Sequence, residues 1–223
     1  MELEKFHKWT LENKLLANTK ICFTMQFSRS RVFDFPLEFK LGNSEFLEEK
    51  KSMKILGLVV QSNLGWDSQI NQMVGRANKT TWAIRRMKAL GVDKQTLVEY
   101  WKAEGRFHLE FACPYSIINK AQRQSLERSQ RVAMAAIVGF WEPSLTQQLQ
   151  ALSLERLEAR RESISRRFAT STATRSRHSD IFSLGPEAPA RKAKHSLKYL
   201  EPRARTAAYR KSAVPYLTRL LNQ

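Results

Sequence analysis

The chain is 223 residues long, enough for one domain or two small ones with an apolar core. Its 38 lysine and arginine residues against 21 aspartate and glutamate residues give a formal net charge of +17, which favours a polyanionic partner, either nucleic acid or an anionic membrane surface. Two cysteines are too few for a disulfide framework or a zinc cluster.

The sequence shows no feature that would predict a membrane protein or a secreted protein. No apolar run reaches the roughly 18–20 residues of a membrane span. The sequence also lacks the strongly amphipathic, aromatic-anchored basic helix typical of proteins that bind a membrane surface. The first residues do not form a signal peptide. We therefore expect an intracellular chain, cytoplasmic or nuclear, with nucleic acid as its partner.

The first 62 residues predict a small antiparallel sheet covered by one helix. The helix spans residues 2–16, and residues 21–27 and 33–41 alternate with a period of two, as half-buried antiparallel strands do. Residues 52–60 are nearly continuous aliphatic, which predicts a third strand buried on both faces. Gly57 interrupts this strand and indicates a bulge, a bend or a close backbone approach.

After residue 62 the apolar residues recur every three to four positions, which predicts a mostly helical region. A first helix covers residues 66–90 and ends at Gly91, and Asp93 caps a second helix that runs to about residue 107. The later predicted segments are a helix over residues 120–138, a helix that ends near residue 168, a loose linker over residues 170–196 and an amphipathic helix over residues 210–221.

The side chains that usually carry catalysis are scattered. The four aspartates are unpaired, and the four histidines have no metal-ligand spacing among themselves or with the cysteines. No glycine-rich phosphate loop and no nucleophile elbow occurs. The pattern argues against a self-contained enzyme, and we expect no metal site, no cofactor and no small-molecule substrate.

Basic residues cluster on the predicted helices. On two of them they fall opposite the apolar side, and Trp82 is interleaved with the first set. The candidate nucleic-acid-binding residues are Arg76, Lys79, Arg85, Arg86 and Lys88 on the first helix, and Arg123, Arg128 and Arg131 on the third. Such faces can offer cations to phosphates. The alternative is a solvated face with intrahelical ion pairs, most plainly on the fourth helix, where Glu155, Glu158 and Glu162 accompany five arginines.

Several motifs together resemble one protein family. In chain order they include Asn13-Lys14-Leu15, Asn18-Thr19-Lys20, Leu56-Gly57-Leu58, Leu64-Gly65-Trp66-Asp67-Ser68-Gln69-Ile70, Arg85-Arg86-Met87-Lys88-Ala89-Leu90-Gly91, Leu109-Glu110-Phe111-Ala112-Cys113-Pro114 and Tyr209-Arg210-Lys211-Ser212-Ala213-Val214-Pro215-Tyr216-Leu217. Their order and spacing resemble the reverse transcriptases of non-LTR (LINE-type, jockey-like) retrotransposons, downstream of the catalytic aspartates. The resemblance covers nearly the whole chain.

The resemblance implies a division of the chain. Residues 1–62 resemble the last part of the polymerase palm, residues 66–140 the thumb, and residues 141–169 and 170–223 a helical C-terminal extension and a flexible basic linker with a short terminal helix. The implied primer-grip residues are Lys54, Ile55, Leu56, Gly57 and Leu58. Gly57 would then let backbone approach a primer terminus, and the alternative is that it only permits tight packing.

The sequence also departs from the family. The Tyr-x-Asp-Asp hairpin, the fingers and the first half of the palm are absent, and Phe107 stands where the family usually has proline. These departures indicate a truncated or decayed copy. The full-length family would use magnesium, but the aspartates that would hold it are missing from this chain.

We therefore expect an α+β chain with a palm-remnant sheet, a thumb-like helical region and a partly disordered tail. Its predicted function is non-specific backbone binding of RNA or an RNA–DNA duplex, without polymerase activity of its own. The alternatives are a non-functional transposon-derived product and a basic helical module that binds proteins, including a fuller reverse transcriptase chain.

Overall fold

The computed structural model describes residues 2–27, 39–41, 46–115, 117–139, 144–175, 181–182, 184 and 199–223. This part of the chain is mostly helical with short paired strands, which confirms the predicted α+β class. The chain divides into two compact units, Met1–Gln69 and Ile70–Gln223. The domain boundaries drawn from the sequence stay predictions.

Helix α1 (Glu2–Glu12) ends earlier than the predicted residue 16. Lys14 has a φ of +55°, and the N–H groups of Lys14 and Leu15 donate to carbonyls of the preceding turn at 3.1 and 2.8 Å. This pair of hydrogen bonds is a Schellman motif, which closes a helix. The helical spacing of apolar residues continues past this point in the sequence, although the helix has ended.

Strand β1 (Phe23–Thr24) pairs in parallel with β2 (Glu48–Glu49). Its predicted antiparallel partner, residues 33–41, lies largely outside the described residues. Within the described ones, Lys40 forms an antiparallel bridge with Phe46. The pairing of the two segments expected from the sequence therefore stays a prediction.

The prediction of one buried strand over residues 52–60 was wrong, because this stretch folds as a β-hairpin. Strand β3 (Ser52–Ile55) pairs antiparallel with β4 (Leu58–Gln61). Leu56 and Gly57 have φ values of +48° and +88°, the left-handed values of a two-residue type I′ turn. The aliphatic residues thus belong to two short consecutive strands. The side chain of Leu56, in the turn between them, is 98% exposed.

Two glutamine side chains attach the hairpin to the start of helix α2 (Asp67–Ala89). Gln69 Oε1 accepts a hydrogen bond from the Val59 N–H at 2.8 Å, and Gln61 Oε1 accepts one from the Ser68 N–H at 3.1 Å. The second bond satisfies an amide of the first helical turn, which has no partner within the helix. Ser68 and Gln69 belong to the unit Met1–Gln69, so both contacts lie within that unit.

From Ile70 onward, α2 buries the stripe that its sequence predicts. The buried members of this stripe are Ile70, Met73, Ala77, Thr80 and Ile84. Gly91, with a φ of +85°, follows the helix. Asp93 caps helix α3 (Lys94–Tyr100) as predicted, because its Oδ1 accepts a hydrogen bond from the Thr96 N–H at 3.0 Å.

The second predicted helix is interrupted by a π-helical turn. Helix α3 passes into π-helical residues Trp101–Arg106 and then into α4 (Phe107–Glu110). Trp101 is fully buried, and a Cβ placed at Gly105 would come within 2.0 Å of its ring. Gly105 therefore lets the indole pack against the backbone of the next turn.

Helix α5 (Lys120–Val138) has the predicted bounds. Asn119 and Gln122 form a capping box at its start, and Gly139 ends it with a φ of +100°. The predicted fourth helix, expected to end near residue 168, is α7 (Leu157–Thr174), and it extends into the predicted linker. A separate helix, α6 (Leu145–Ala151), precedes it.

The described residues of the segment 170–223 build a second small core on α7, and the expectation of a flexible linker in this segment stays a prediction. Helices α8 (Ala207–Arg210) and α9 (Ala213–Leu221) end the chain, and α9 packs along α7. The buried side chains of this core are Ala169, Phe182, Tyr199, Leu217 and Leu220. These residues come from distant segments, so their association gives no periodic signal in the sequence.

Polar contacts hold the same tail in place. Arg166 Nη1 donates to the Leu220 carbonyl at 3.1 Å, and Arg166 Nη2 donates to Gln223 Oε1 at 2.8 Å. Asn222 exchanges two hydrogen bonds with the backbone of Tyr199, at 3.1 and 2.9 Å. The last carbonyls of α9, which have no partner within the helix, are in part satisfied by α7.

Candidate nucleic-acid interface

The outward side of α2 carries three cations and an indole. Burial of the core stripe leaves the opposite side of the helix exposed, and Lys79, Trp82, Arg85 and Arg86 all lie there. We call these four residues the outer face of α2. They recur at spacings of three and four, so their side chains are neighbours. Because α2 has no acidic residue after Asp67, this face is uniformly cationic.

Trp82 is 61% exposed, which is unusual for so large an apolar side chain. The guanidinium carbon of Arg86 lies 5.3 Å from the centroid of its ring. Such a cation–π contact is worth about 0.5–1 kcal/mol at an exposed site and holds the guanidinium beside the indole. Within the part of the chain that the structure describes, Lys79 and Arg85 have no hydrogen-bond or ion-pair partner. The cations of the outer face are thus free to meet an anionic ligand.

The other two predicted cations of α2 are set apart from this face. Lys88 Nζ donates to the carbonyls of Ala136 and Ile137, at 3.3 and 2.7 Å. A cation at the C-terminal end of α5 is stabilised by the partial negative charge there. Arg76 is half-buried. The pKa of His108 is lowered mainly by the burial of its own side chain and, to a smaller extent, by the charge of Arg76. Lys88 therefore joins α2 to α5, and Arg76 is only partly exposed.

The three predicted cations of α5 differ from one another. Arg123 pairs with Glu158 of α7 at 3.2 Å, and Arg131 is half-buried. Arg128 is exposed. Its neighbour Ser129 donates a hydrogen bond to Asn78 Oδ1 at 3.3 Å, which ties this part of α5 to α2. Arg128 is therefore an exposed cation on a helix that contacts α2.

The predicted primer-grip residues lie around the hairpin turn in the unit Met1–Gln69. Lys54, Ile55 and Leu56 are exposed, whereas Gly57 and Leu58 are half-buried. The positive φ of Gly57 is required by the turn, so the glycine has a structural reason that needs no ligand. The tip offers one cation and two apolar side chains to a partner.

The sequence groups the arginines of α7 with the other cations, but Arg160 and Arg161 have partners that make them structural. Arg160 Nε donates to Glu110 Oε1 at 2.9 Å, and the same oxygen pairs with Arg106 Nε at 3.3 Å. Arg161 is buried and donates to the Leu109 carbonyl. Arg160 and Glu110 are 50 residues apart, so no local pattern could have revealed the pair.

A cavity of about 520 Å³ lies between α5, α7 and α9, and Cys113, Arg161 and Tyr216 are among its lining residues. Burial raises the pKa of the Cys113 thiol and of the Tyr216 hydroxyl, and the charge of Arg161 opposes both shifts. Burial also raises the pKa of Glu127. The Cys113 thiol is therefore protonated at neutral pH, and a protonated thiol is a poor nucleophile.

The magnesium that the resemblance implies for a full-length protein does not fit the described residues. Among them, no group of three or more His, Cys, Asp or Glu side chains is placed to hold a metal ion. The carboxylate of Asp93 is used as a helix cap, and its hydrogen bonds with Thr96 lower its pKa. Asp34 and Asp180 lie outside the described residues. We assign no reaction step to a metal in this chain.

Within the described ranges, no helix combines the length and the apolar character needed to cross a membrane. Comparisons with protein-family models, with curated proteins and with solved structures found no match. The resemblance to reverse transcriptases of non-LTR retrotransposons therefore stays a prediction from the sequence, whereas the outer face of α2 is described from the geometry of the helix.

Proposed function

We propose that the chain binds nucleic acid non-specifically through the outer face of α2, and that it represents the late palm, thumb and C-terminal extension of a non-LTR retrotransposon reverse transcriptase. The observation that carries the binding proposal is the exposed indole of Trp82 among three cations on a helix face without acidic residues. An intracellular location, cytoplasmic or nuclear, belongs to the same proposal.

The charge arrangement sets the expected mode of binding. Lysine and arginine side chains that neutralise phosphates release counterions, so affinity falls steeply with salt. Three contacts from the outer face, or four with Arg128, predict that affinity falls by about 40- to 150-fold between about 50 and 200 mM salt. Lysine and arginine contacts to phosphates position a nucleic acid without reading its sequence, so we expect little sequence preference.

The family proposal assigns roles to both units. The hairpin of β3 and β4, with Lys54 at its exposed tip, stands where the resemblance implies a primer grip. Helices α2 to α5 stand where it implies a thumb. Because the family's catalytic aspartates are missing from this sequence, the chain would hold a template–primer but not extend it.

Exposed apolar side chains favour a second candidate function, association with another polypeptide such as a fuller reverse transcriptase chain. In the unit Met1–Gln69, Phe6 and Trp9 stack at 6.3 Å on α1, and both are about half exposed. Ile21 is 70% exposed. Exposed apolar side chains that lie together, as Phe6 and Trp9 do, are typical of an interaction site.

A binding titration with a matched charge control tests the proposed function. The triple variant Lys79→Ala, Arg85→Ala, Arg86→Ala is compared with Arg203→Ala, Arg205→Ala, Lys211→Ala, which removes the same charges from exposed positions elsewhere. We expect the first variant to lose affinity for an RNA–DNA hybrid and to have a shallower salt dependence, and the second to stay close to the wild type. Equal losses of affinity in both variants would show that binding depends on the net charge of the chain and not on the outer face of α2.

Primer extension tests the catalytic part of the proposal. With magnesium and an RNA template annealed to a primer, the chain should yield no product. A templated product would overturn the conclusion that it lacks polymerase activity.

A further inference from the structure

The outer face of α2 holds one feature that backbone binding alone does not use, the ring of Trp82. A duplex presents phosphates and sugars at its surface and keeps its bases stacked inside, so an exposed indole has little to contact on it. An unpaired base, in contrast, has a free face on which an aromatic ring stacks, whatever the base. We propose that Trp82 is a stacking site for an unpaired base, and that the preferred ligand of the outer face is single-stranded RNA or DNA.

The environment of the ring supports this role. Arg86 covers one side of the indole at 5.3 Å, and within the described residues Trp82 has no further ring contact. With 61% of its surface exposed, the indole has room for a planar ligand beside it. The guanidinium contact restricts the ring before any ligand arrives, which lowers the entropy lost on binding.

The flanking cations have the spacing that a single strand needs. Lys79 and Arg85 stand three residues before and three residues after Trp82, on the same side of the helix. Their Cα atoms are separated by about 9 Å along the helix axis, at 1.5 Å per residue. A stacked strand with a rise of 3.4 Å per nucleotide covers this distance in two to three nucleotides. A base on Trp82 would thus have its neighbouring phosphates within reach of both cations.

The chemistry of the face argues against a protein partner at this place. A docking peptide would need hydrogen-bond acceptors or acidic groups for Lys79, Arg85 and Arg86, and a flat ring to fit against the indole. In a single-stranded nucleic acid, each nucleotide supplies both an anionic phosphate and the aromatic face of a base. The inference rests on the proposed function, since it names the ligand class of the same surface.

The test separates phosphate binding from base stacking. Fluorescence anisotropy is measured with labelled oligothymidylate of about a dozen nucleotides, which is within the size of single-strand sites. A second strand of equal length has abasic residues, so it keeps the phosphates and lacks the bases, and a third ligand is a blunt duplex. The variants are Trp82→Ala and Trp82→Phe, with Trp9→Ala as the matched control, because Trp9 is also an exposed helix tryptophan.

We expect the wild-type chain to bind oligothymidylate at least about fivefold more tightly than the abasic strand, as one stacked base allows. Trp82→Ala should abolish this preference without changing the affinity for the abasic strand. Trp82→Phe should restore part of it, and Trp9→Ala should leave it unchanged. Circular dichroism melting of each variant shows that the fold is retained.

Two results would overturn the inference. One is a wild-type chain that binds the abasic strand or the blunt duplex as tightly as oligothymidylate. The other is a Trp82→Ala variant that keeps the preference for bases. In both cases the proposed function survives if the triple variant of Lys79, Arg85 and Arg86 still loses affinity. If that variant binds every ligand like the wild type, the proposed function fails as well.

Discussion

Helices α2 and α7 both carry several arginines, yet they use them in opposite ways. On α7, Arg160 pairs with Glu110, and Arg166 donates to the end of α9. On α2, Lys79 and Arg85 have no hydrogen-bond or ion-pair partner within the described residues, and Arg86 contacts only the ring of Trp82 there. A count of basic residues does not distinguish these helices. What distinguishes them is whether tertiary neighbours have already satisfied the charge.

The difference has an energetic basis. Removing one member of a buried ion pair leaves its partner desolvated and uncompensated, whereas removing an exposed, unpaired cation changes stability little. Arg160 and Arg166 should therefore matter for stability, and Lys79, Arg85 and Arg86 for binding. Three variants test this contrast, in order of decreasing effect on stability.

The largest effect is expected from Glu110→Ala. Its carboxylate joins Arg106 and Arg160, and the side chains of Glu110 and Arg106 are only 12% and 14% exposed. Loss of the carboxylate should lower the free energy of unfolding by about 3 kcal/mol, measured by urea denaturation. Glu99→Ala, at an exposed position of α3, is the control and should stay within about 0.5 kcal/mol of the wild type. Similar losses in the two variants would contradict a structural role of the α7 arginines.

A smaller, local effect is expected from Arg166→Ala. This side chain donates to the Leu220 carbonyl and to Gln223, so its removal should loosen the end of α9 at a cost of about 1 kcal/mol. Hydrogen exchange should become faster in residues 213–221 and remain unchanged in α2.

Arg167→Ala is the matched control for this measurement, because Arg167 is an exposed neighbour on the same helix. If the two variants exchange alike, the α7–α9 contact does not depend on Arg166.

The smallest effect on stability is expected from the triple variant of the outer face of α2, Lys79→Ala, Arg85→Ala, Arg86→Ala. Each position is exposed, so the free energy of unfolding should change by less than about 1 kcal/mol for the three sites together. The same variant should lose affinity for nucleic acid. A large drop in melting temperature would show that these cations also support the fold, and the contrast with α7 would not hold.

The sequence predicts well those features whose causes are local. Helix α5 begins after a capping residue, Asn119, and ends before Gly139, and both boundaries agree with the prediction. Asp93 caps α3 as expected. Such signals involve residues three or four positions apart, so they survive in any tertiary context. The exposed cations of α2 follow from the same short periodicity, because the buried stripe determines which side faces outward.

The hairpin shows where a local interpretation fails. Residues 52–60 have the composition of a central strand, but the backbone reverses at Leu56 and Gly57. An aliphatic run of this length is compatible with one long strand or two short ones, and pairing decides between them. Gly57 was the available signal, because a glycine at the second position favours a type I′ turn.

What the sequence determined by itself is thus the helical periodicity, the caps and the excess of positive charge. The tertiary structure alone decided which cationic side chains have hydrogen-bond or ion-pair partners, since the partners of Arg160 and Arg166 lie 50 and 54 residues away. It also decided that α9 packs on α7. The physical reason is that a hydrogen bond or an apolar contact depends on distance in space, and a folded chain brings together residues whose separation in sequence carries no periodic trace.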